Sequence, residues 1–250
     1  MKKVLIVTVG IAAAVVVLLY GYLTWSADKN RARPTEVAMA ALEPSADVSV
    51  EQQDDWLVMR PQNQTPTTGL IVYPGAYCDI RGYAPVLRAV AEAGYLVIGV
   101  SMPFDFAIFA PGSADDVREA FPEIDRWVIA GHSMGGAMAG VYAEQNQDNL
   151  AGLILWDAYP PESNSLADSS LPVMHIHRAT LEGAPPEKFE VMRGLFPADS
   201  VWVPVPGGLH LYYGSFNGGA YDEQWSPKIS EQEQLDMVAA ATLEGLKMAR

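Results

Sequence analysis

The segment Gly131–Gly135 places a serine between two glycines, in the order Gly-His-Ser-Met-Gly. An apolar run precedes the segment, and a pattern of small residues typical of a helix follows it. Glycines on both sides let the backbone turn sharply from a strand into a helix, which exposes the serine hydroxyl at the helix N-terminus. The spacing predicts that Ser133 is a nucleophile. The alternative interpretation is a tight turn that only connects two elements.

A serine nucleophile needs a histidine as its base, and the chain has four histidines. His132 adjoins the serine, and its ring is expected to point away from it. His175 and His177 lie inside a predicted strand and are expected to be structural. His210 lies in the glycine-rich segment 206–214, after the last predicted strand, and is the predicted base.

An acidic side chain must orient that histidine. Glu182 follows the strand that contains His175 and His177, on a loop that leads towards a helix, and is the predicted acid. Its rival is Asp157, at the end of the preceding strand. The alternative for either residue is an ordinary surface carboxylate.

Backbone N–H groups must hold the oxyanion that forms when the serine attacks a carbonyl group. Met134 directly follows the predicted nucleophile, and Ala76 lies in the loop after the strand predicted at 69–74, so these two residues are the predicted donors. Three residues at neighbouring strand ends are expected either to line an acyl pocket or to pack at the sheet edge: Tyr77, Met102 and Phe104.

The hydropathy pattern predicts the elements that position these residues. From Val48 onward, continuous apolar runs alternate with helical patterns, which indicates a mostly parallel sheet covered by helices. Ligands bind beyond the carboxyl ends of the strands in such a sheet. The predicted strands are 56–60, 69–74, 95–100, 126–131, 152–157, 172–177 and 201–205, and the predicted helices are 83–94, 114–124, the segment after Ser133, and 230–248. The segment between Asp157 and Pro172 is too short for a large cap, so we expect an open site.

The N-terminal run from Val4 to Trp25 carries no charged residue and is long enough to cross a bilayer as a helix. Tyr20, Tyr22 and Trp25 cluster at its far end, as interface anchors do. No convincing cleavage site follows, which favours an uncleaved anchor over a signal peptide. We assign 1–26 to the anchor or signal peptide, 27–47 to a linker and 48–250 to the catalytic domain, and expect that domain to lie outside the cytoplasm.

Composition excludes several classes of protein. The net charge of −14 argues against a nucleic-acid-binding surface. The single cysteine, Cys78, rules out an intrachain disulfide and a cysteine zinc cluster. No metal or other cofactor is predicted, because no carboxylate or cysteine completes a ligand set near His175 and His177. The oligomeric state stays open.

The order Ser133, Glu182, His210 and the strand pattern resemble the α/β-hydrolase fold from about Val48 onward. More narrowly, the chain is similar to the small bacterial alpha/beta hydrolases of fold-5, the dienelactone-hydrolase-like and lipase-like group. The segments that carry the resemblance are GLIVYPGAY, YAPVLRAVAEAGYLVIGVSMP, GHSMGGAMA, LPVMHIHRATLEG, PPEKF and GGLH. The resemblance implies hydrolysis of small-molecule carboxyl esters through a Ser–acid–His triad and an acyl-enzyme. With the open site, it predicts a short-chain or accessible ester. Relatives usually carry aspartate where Glu182 stands, and dienelactone hydrolases proper use cysteine where Ser133 stands, which argues against a dienelactone substrate.

Two other functions fit the same residues. The triad also serves acyltransferases and peptidases, whose acyl acceptor or substrate differs. A membrane-tethered hydrolase fold that binds a ligand without catalysis is the third interpretation.

Overall fold

The central sheet has eight strands: β2 Val48–Gln52, β3 Trp56–Pro61, β4 Thr68–Tyr73, β5 Leu96–Val100, β6 Arg126–His132, β7 Gly152–Trp156, β8 Val173–Ala179 and β9 Val201–Pro206. Their order in the sheet is β2-β3-β5-β4-β6-β7-β8-β9. The structure is a computed structural model and describes residues 2–53, 55–219 and 226–249. The pairs β2-β3 and β3-β5 are antiparallel, and the other pairs are parallel. The mostly parallel sheet predicted from the sequence is therefore confirmed.

Helices cover both faces of this sheet. They are α3 Ala84–Glu92, α4 Ser113–Ala120, α5 Met134–Gln145, α6 Glu187–Met192 and α7 Glu231–Met248. One apolar layer joins the sheet to α3 and α7 through residues such as Leu87 and Val238, and the other joins it to α4 and α5 through Val117 and Tyr142. Strands β4, β5 and β7 are buried along their whole length, which explains their continuous apolar sequences.

The described residues include one helix long and apolar enough to cross a membrane. It is α1, Lys2–Asn30, whose segment Gly10–Asn30 has a mean hydropathy of 1.7. The large apolar side chains between Ile11 and Leu19 are exposed. Because an apolar helix surface without cover is unfavourable in water, α1 is a candidate membrane span.

The segment 27–47, predicted as a linker, folds onto the domain. It contains the end of α1, the short strand β1 Arg33–Pro34 and the helix α2 Glu36–Ala40. Strand β1 pairs with β10, Phe216–Asn217, in a separate antiparallel sheet of two strands. Between β7 and β8 the chain forms only a short 3₁₀ turn at Glu162–Asn164, so no large cap stands at this point.

Candidate active site

Ser133 occupies a sharp turn between β6 and α5. Its φ of 52° and ψ of −122° form a backbone conformation that residues with a side chain rarely adopt. The N–H of Ser133 donates to the carbonyl oxygen of Trp156 at 3.1 Å, which ties the turn to β7. A Cβ atom on Gly131 would lie 2.5 Å from the backbone of Gly135, closer than real Cβ contacts. The turn predicted from the glycine spacing is therefore present, and it needs glycine at this position.

His210 contacts two side chains, one through each ring nitrogen. Its Nε2 lies 3.0 Å from Oγ of Ser133, and its Nδ1 lies 2.5 Å from Oδ2 of Asp157. When Nδ1–H donates to the carboxylate, Nε2 of a neutral ring accepts from the serine hydroxyl. The arrangement joins a hydroxyl, an imidazole and a carboxylate in the order that nucleophilic catalysis requires.

Asp157 follows β7, with a φ of 48° and no exposed side-chain surface. The backbone N–H of Arg178 donates to Oδ1 at 3.1 Å, and the guanidinium Nε of Arg178 lies 3.5 Å from Oδ2. Burial alone would raise the pKa of Asp157, but the hydrogen bond with His210 and the charges of His210 and Arg178 hold that pKa well below its usual range. Asp157 is therefore ionised at neutral pH although it is buried.

Glu182, the predicted acid, lies away from the histidine. The chain turns tightly after Ala179, with Gly183 at a φ of 89° and its N–H donating to Thr180 at 2.9 Å. This turn leaves Glu182 exposed beside a separate cavity of about 280 Å³. Among the residues that the structure describes, the Glu182 carboxylate has no hydrogen-bond or ion-pair partner. The prediction of Glu182 is therefore wrong, and its rival Asp157 takes the position because it ends the strand next to β6.

The loop after β4 lies against the first turn of α5. A Cβ atom on Gly135 would collide with the carbonyl oxygen of Pro74, so only glycine permits this approach. Met134 begins α5, and Ala76 lies in the loop that starts where the end of β4 pairs with the end of β6. Both predicted N–H donors thus lie at the same edge of the sheet as the nucleophile.

The model of the Alpha/beta hydrolase family matches residues 69–236, more than half of the chain, and this range includes Ser133, Asp157 and His210. The chain belongs to the alpha/beta hydrolase family. The resemblance carried by the sequence motifs is thereby confirmed. No curated protein matches this hydrolase.

Solved structures share the fold of this hydrolase at low sequence identity. A ferulic acid esterase from Streptomyces cinnamoneus is 18% identical, with 74% of this chain and 68% of that chain covered and a TM-score of 0.57. Est1E from Butyrivibrio proteoclasticus is 15% identical, with 80% and 99% covered and a TM-score of 0.56. A structure of the metagenome-derived lipolytic enzymes LipS and LipT is 13% identical, with 82% and 99% covered and a TM-score of 0.52.

His132 is buried beside His210. Its ring lies 4.5 Å from the ring of His210 and stacks on Tyr213 at 5.3 Å. Nδ1 of His132 is 2.8 Å from Oη of Tyr83, and that oxygen accepts from the N–H of Gly75 at 3.0 Å. Burial lowers the pKa of His132 well below its usual value, so the ring stays neutral.

These hydrogen bonds link Gly75, the residue before Ala76, to His132, whose ring packs against that of His210. Sequence spacing alone could not predict them. A second contact that the sequence does not predict attaches the loop of His210 to α7. Gln234 of α7 accepts from the N–H of Leu209 at 2.7 Å and donates to the carbonyl oxygen of the same residue at 2.8 Å. Gln234 is fully buried. A buried amide with both ends satisfied fixes a loop strongly.

His175 and His177 lie in a cluster of aromatic residues on one face of β8. The ring of His175 packs against Phe189 at 4.8 Å and Trp202 at 4.4 Å. Burial lowers the pKa of both histidines. Within the described ranges, no group of three or more histidine, cysteine, aspartate or glutamate side chains could hold a metal ion.

The three candidate pocket residues divide into two groups. Met102 is buried and lines a cavity of about 360 Å³ beside the loop after β4, together with Asp105 and Arg31. Tyr77 and Phe104 instead contact α1, the candidate membrane span. The role of all three in acyl binding stays a prediction.

Proposed function

We propose that this hydrolase cleaves carboxyl esters, with Ser133 as the nucleophile, His210 as the base and Asp157 as the acid that orients it. The contact of His210 with both partners, at 3.0 Å and 2.5 Å, carries the proposal. The names of the solved neighbours support it, since they include a ferulic acid esterase and lipolytic enzymes.

The reaction begins when Oγ of Ser133 attacks the ester carbonyl carbon and its proton passes to Nε2 of His210. The buried carboxylate of Asp157 stabilises the imidazolium ion that forms and keeps Nδ1 protonated. The imidazolium then donates its proton to the leaving alcohol oxygen as the carbon–oxygen bond breaks, and an acyl-enzyme remains on the serine.

Deacylation repeats these steps with water. His210 takes a proton from a water molecule that attacks the acyl carbon, and the carboxylic acid leaves as Oγ of Ser133 recovers its proton. The N–H groups of Met134 and Ala76 are the proposed donors to the oxyanion in both steps. Loss of one such donor lowers kcat by about 10²–10³ in enzymes of this type.

We also propose that α1 stays attached as a membrane anchor. Its exposed apolar residues need a non-aqueous environment, and the helix runs without a break through Ser26 and Ala27, where a cleavage site would have to lie. Both residues are buried, so cleavage there would expose their contacts to water. The extracytoplasmic orientation stays a prediction, which protease digestion of intact cells tests.

Hydrolysis of p-nitrophenyl butyrate by the full chain in detergent tests the proposed reaction. We expect turnover by the unmodified chain and its loss in Ser133→Ala and in His210→Ala, with melting temperatures close to that of the unmodified chain. Full activity in either variant would contradict the proposal.

A further inference from the structure

An exposed apolar patch lies beside the end of α1. Tyr20 of α1 packs edge-on against Phe104, with 5.4 Å between the ring centroids, and Phe104 packs in the same way against Phe109 at 5.8 Å. Tyr20, Ile108 and Phe109 are 63%, 56% and 52% exposed. We call four residues the apolar rim: Tyr20, Phe104, Ile108 and Phe109. An exposed apolar patch that continues a candidate membrane span needs a partner that covers it.

The apolar rim packs against the loop that follows β4 and contains Ala76 and Tyr77. The ring centroid of Phe106 lies 6.0 Å from that of Phe109 and 4.6 Å from that of Tyr77. Tyr77 directly follows Ala76, the proposed oxyanion donor, and its N–H donates to the carbonyl oxygen of Asp105 at 2.9 Å. The rim and the oxyanion loop are therefore parts of one packed assembly.

Polar contacts fix this assembly to the end of α1. The hydroxyl oxygens of Ser26 and Tyr77 are 3.1 Å apart, and Arg31 donates two hydrogen bonds to the carboxylate of Asp105, at 2.7 Å and 3.0 Å. Because α1 runs as one helix from the apolar span to these contacts, the position of the span fixes the height of the site above a bilayer.

The aromatic residues of α1 indicate that height. Tyr20, Tyr22 and Trp25 stand at the end of the span, where aromatic side chains lie at the level of the lipid headgroups. Lys29 lies 4.9 Å from the ring of Trp25, within reach of lipid phosphates. At a rise of about 1.5 Å per residue, the stretch from Tyr20 to Trp25 extends about 7 Å along the helix axis. This length is similar to the depth of about 5–10 Å to which interfacial apolar side chains enter the bilayer. Phe104 contacts Tyr20, so we expect both rings at the same depth.

We infer that the apolar rim is inserted into the surface of the bilayer that α1 crosses, and that the ester substrate enters the site from this bilayer. The inference rests on the proposed function and names its substrate class: long-chain acyl esters dissolved in the membrane, in place of the short-chain ester that the open site predicts. Water adds to the acyl carbon, and the products are the fatty acid and the alcohol. The bilayer shields the acyl chain at the entrance, which explains how a site without a large cap takes an apolar substrate.

A fluorescent label at the rim tests the insertion independently of catalysis. The only native cysteine, Cys78, is 1% exposed, so Ile108→Cys and the control Val191→Cys can be labelled selectively with an environment-sensitive dye. Val191 is 70% exposed. The full chain is then reconstituted into phosphatidylcholine–phosphatidylglycerol vesicles with nitroxide-labelled lipid. We expect strong quenching at residue 108 and none at residue 191.

Two results of this measurement would overturn the insertion. One is quenching at residue 108 no stronger than at residue 191. The other is a combination of two observations: lipid nitroxides do not quench the dye at residue 108, and the dye becomes shielded from water as the protein density in the vesicles rises. A second copy of the chain would then cover the rim.

Paired substrates test the entry route. The full chain in vesicles is assayed with p-nitrophenyl palmitate dissolved in the bilayer and with p-nitrophenyl butyrate in water. In the double variant Ile108→Ser/Phe109→Ser we expect the palmitate-to-butyrate ratio of turnover to fall about tenfold, because the rim no longer seats in the bilayer. The control Val191→Ser should leave both rates unchanged.

The outcomes separate this inference from the proposed function. An unchanged ratio in the double variant, with both esters cleaved, would overturn entry from the bilayer and leave the proposed function standing. Failure of the unmodified chain to cleave either ester, with the dye at residue 108 quenched, would overturn the proposed function and the substrate class but leave the insertion standing.

Discussion

Ser133 and Asp157 stand next to each other at the ends of two paired parallel strands. His132 of β6 is in register with Trp156 of β7, and the next residue of each strand has a positive φ, 52° for Ser133 and 48° for Asp157. Both side chains therefore leave the sheet at the same edge, and one imidazole ring, that of His210, reaches both.

Asp157→Asn tests which carboxylate acts with the histidine. We expect kcat/KM for p-nitrophenyl butyrate to fall by about 10³–10⁴, because the ring loses its fixed tautomer and the imidazolium ion loses its counter-charge. The matched control is Glu182→Gln, which should keep the activity of the unmodified chain because Glu182 is exposed and distant from the contacts of His210. A large loss in Glu182→Gln together with a small one in Asp157→Asn would reverse the assignment.

Tyr83→Phe tests the hydrogen bonds that link Gly75 to His132. The substitution leaves a buried N–H and a buried ring nitrogen unpaired, so we expect the free energy of unfolding to fall by about 1–3 kcal/mol. Displacement of the oxyanion loop should lower kcat by about tenfold, with KM less affected.

The control for this variant is Tyr73→Phe. The Tyr73 hydroxyl accepts from the N–H of Ala114 at 2.7 Å and donates to Pro111 at 3.0 Å, away from the catalytic side chains. Tyr73→Phe should lower the free energy of unfolding by a similar amount and leave kcat unchanged. Equal values of kcat in the two variants would argue against a positioning role for Tyr83.

Arg31→Gln tests whether the end of α1 positions the oxyanion loop. The variant loses the paired hydrogen bonds to Asp105, whose carbonyl oxygen holds the N–H of Tyr77. We expect kcat on a water-soluble ester to fall by about tenfold, since small displacements in an active site are costly. Arg33→Gln is the matched control, because the pair of Arg33 with Asp28 is mostly exposed and should contribute little. The same kcat in both variants would contradict this role.

His175 should make the protein sensitive to mild acid. Both of its ring nitrogens are buried without a hydrogen-bond partner among the described residues, and burial lowers its pKa well below the usual value. Below pH about 6.5 the unfolded chain binds a proton at this position that the folded chain does not, so the free energy of unfolding falls by about 1.4 kcal/mol per pH unit as the pH decreases.

His175→Phe removes this effect. Thermal unfolding in detergent gives the difference in melting temperature between the variant and the unmodified chain. We expect this difference to shift in favour of the variant as the pH is lowered from 8 to 5. The control Trp202→Phe changes the same aromatic cluster without a titrating group and should show no such trend. A His175→Phe variant with a pH-independent difference would contradict the assignment of a neutral, buried His175.

The sequence predicts the sheet well because strands that are buried on both faces have continuous apolar sequences. Strand β4 was expected at 69–74 and runs from Thr68 to Tyr73, and helix α3 was expected at 83–94 and runs from Ala84 to Glu92. The turn at Ser133 was also predictable, since its conformation demands glycines at fixed positions. His210 followed from elimination among few histidines.

Long-range contacts were not predictable from patterns. The tight turn at Gly183 moves Glu182 to the surface, and no periodicity encodes the path of such a loop. The segment 27–47 looked like a linker because it is polar and contains prolines, yet Thr35 caps α2 and Ala32 hydrogen-bonds to Tyr77. These contacts join residues far apart in sequence, so only the folded chain reveals them.

The most direct test of the central claim is covalent labelling of the full chain with a fluorophosphonate, followed by peptide mass analysis. A serine activated by a histidine reacts with this reagent, whereas an ordinary serine does not. We predict a single adduct on Ser133, absent in Ser133→Ala and formed much more slowly in Asp157→Asn than in Glu182→Gln. No adduct on Ser133, or an adduct that forms equally fast in both carboxylate variants, would contradict a triad of Ser133, His210 and Asp157.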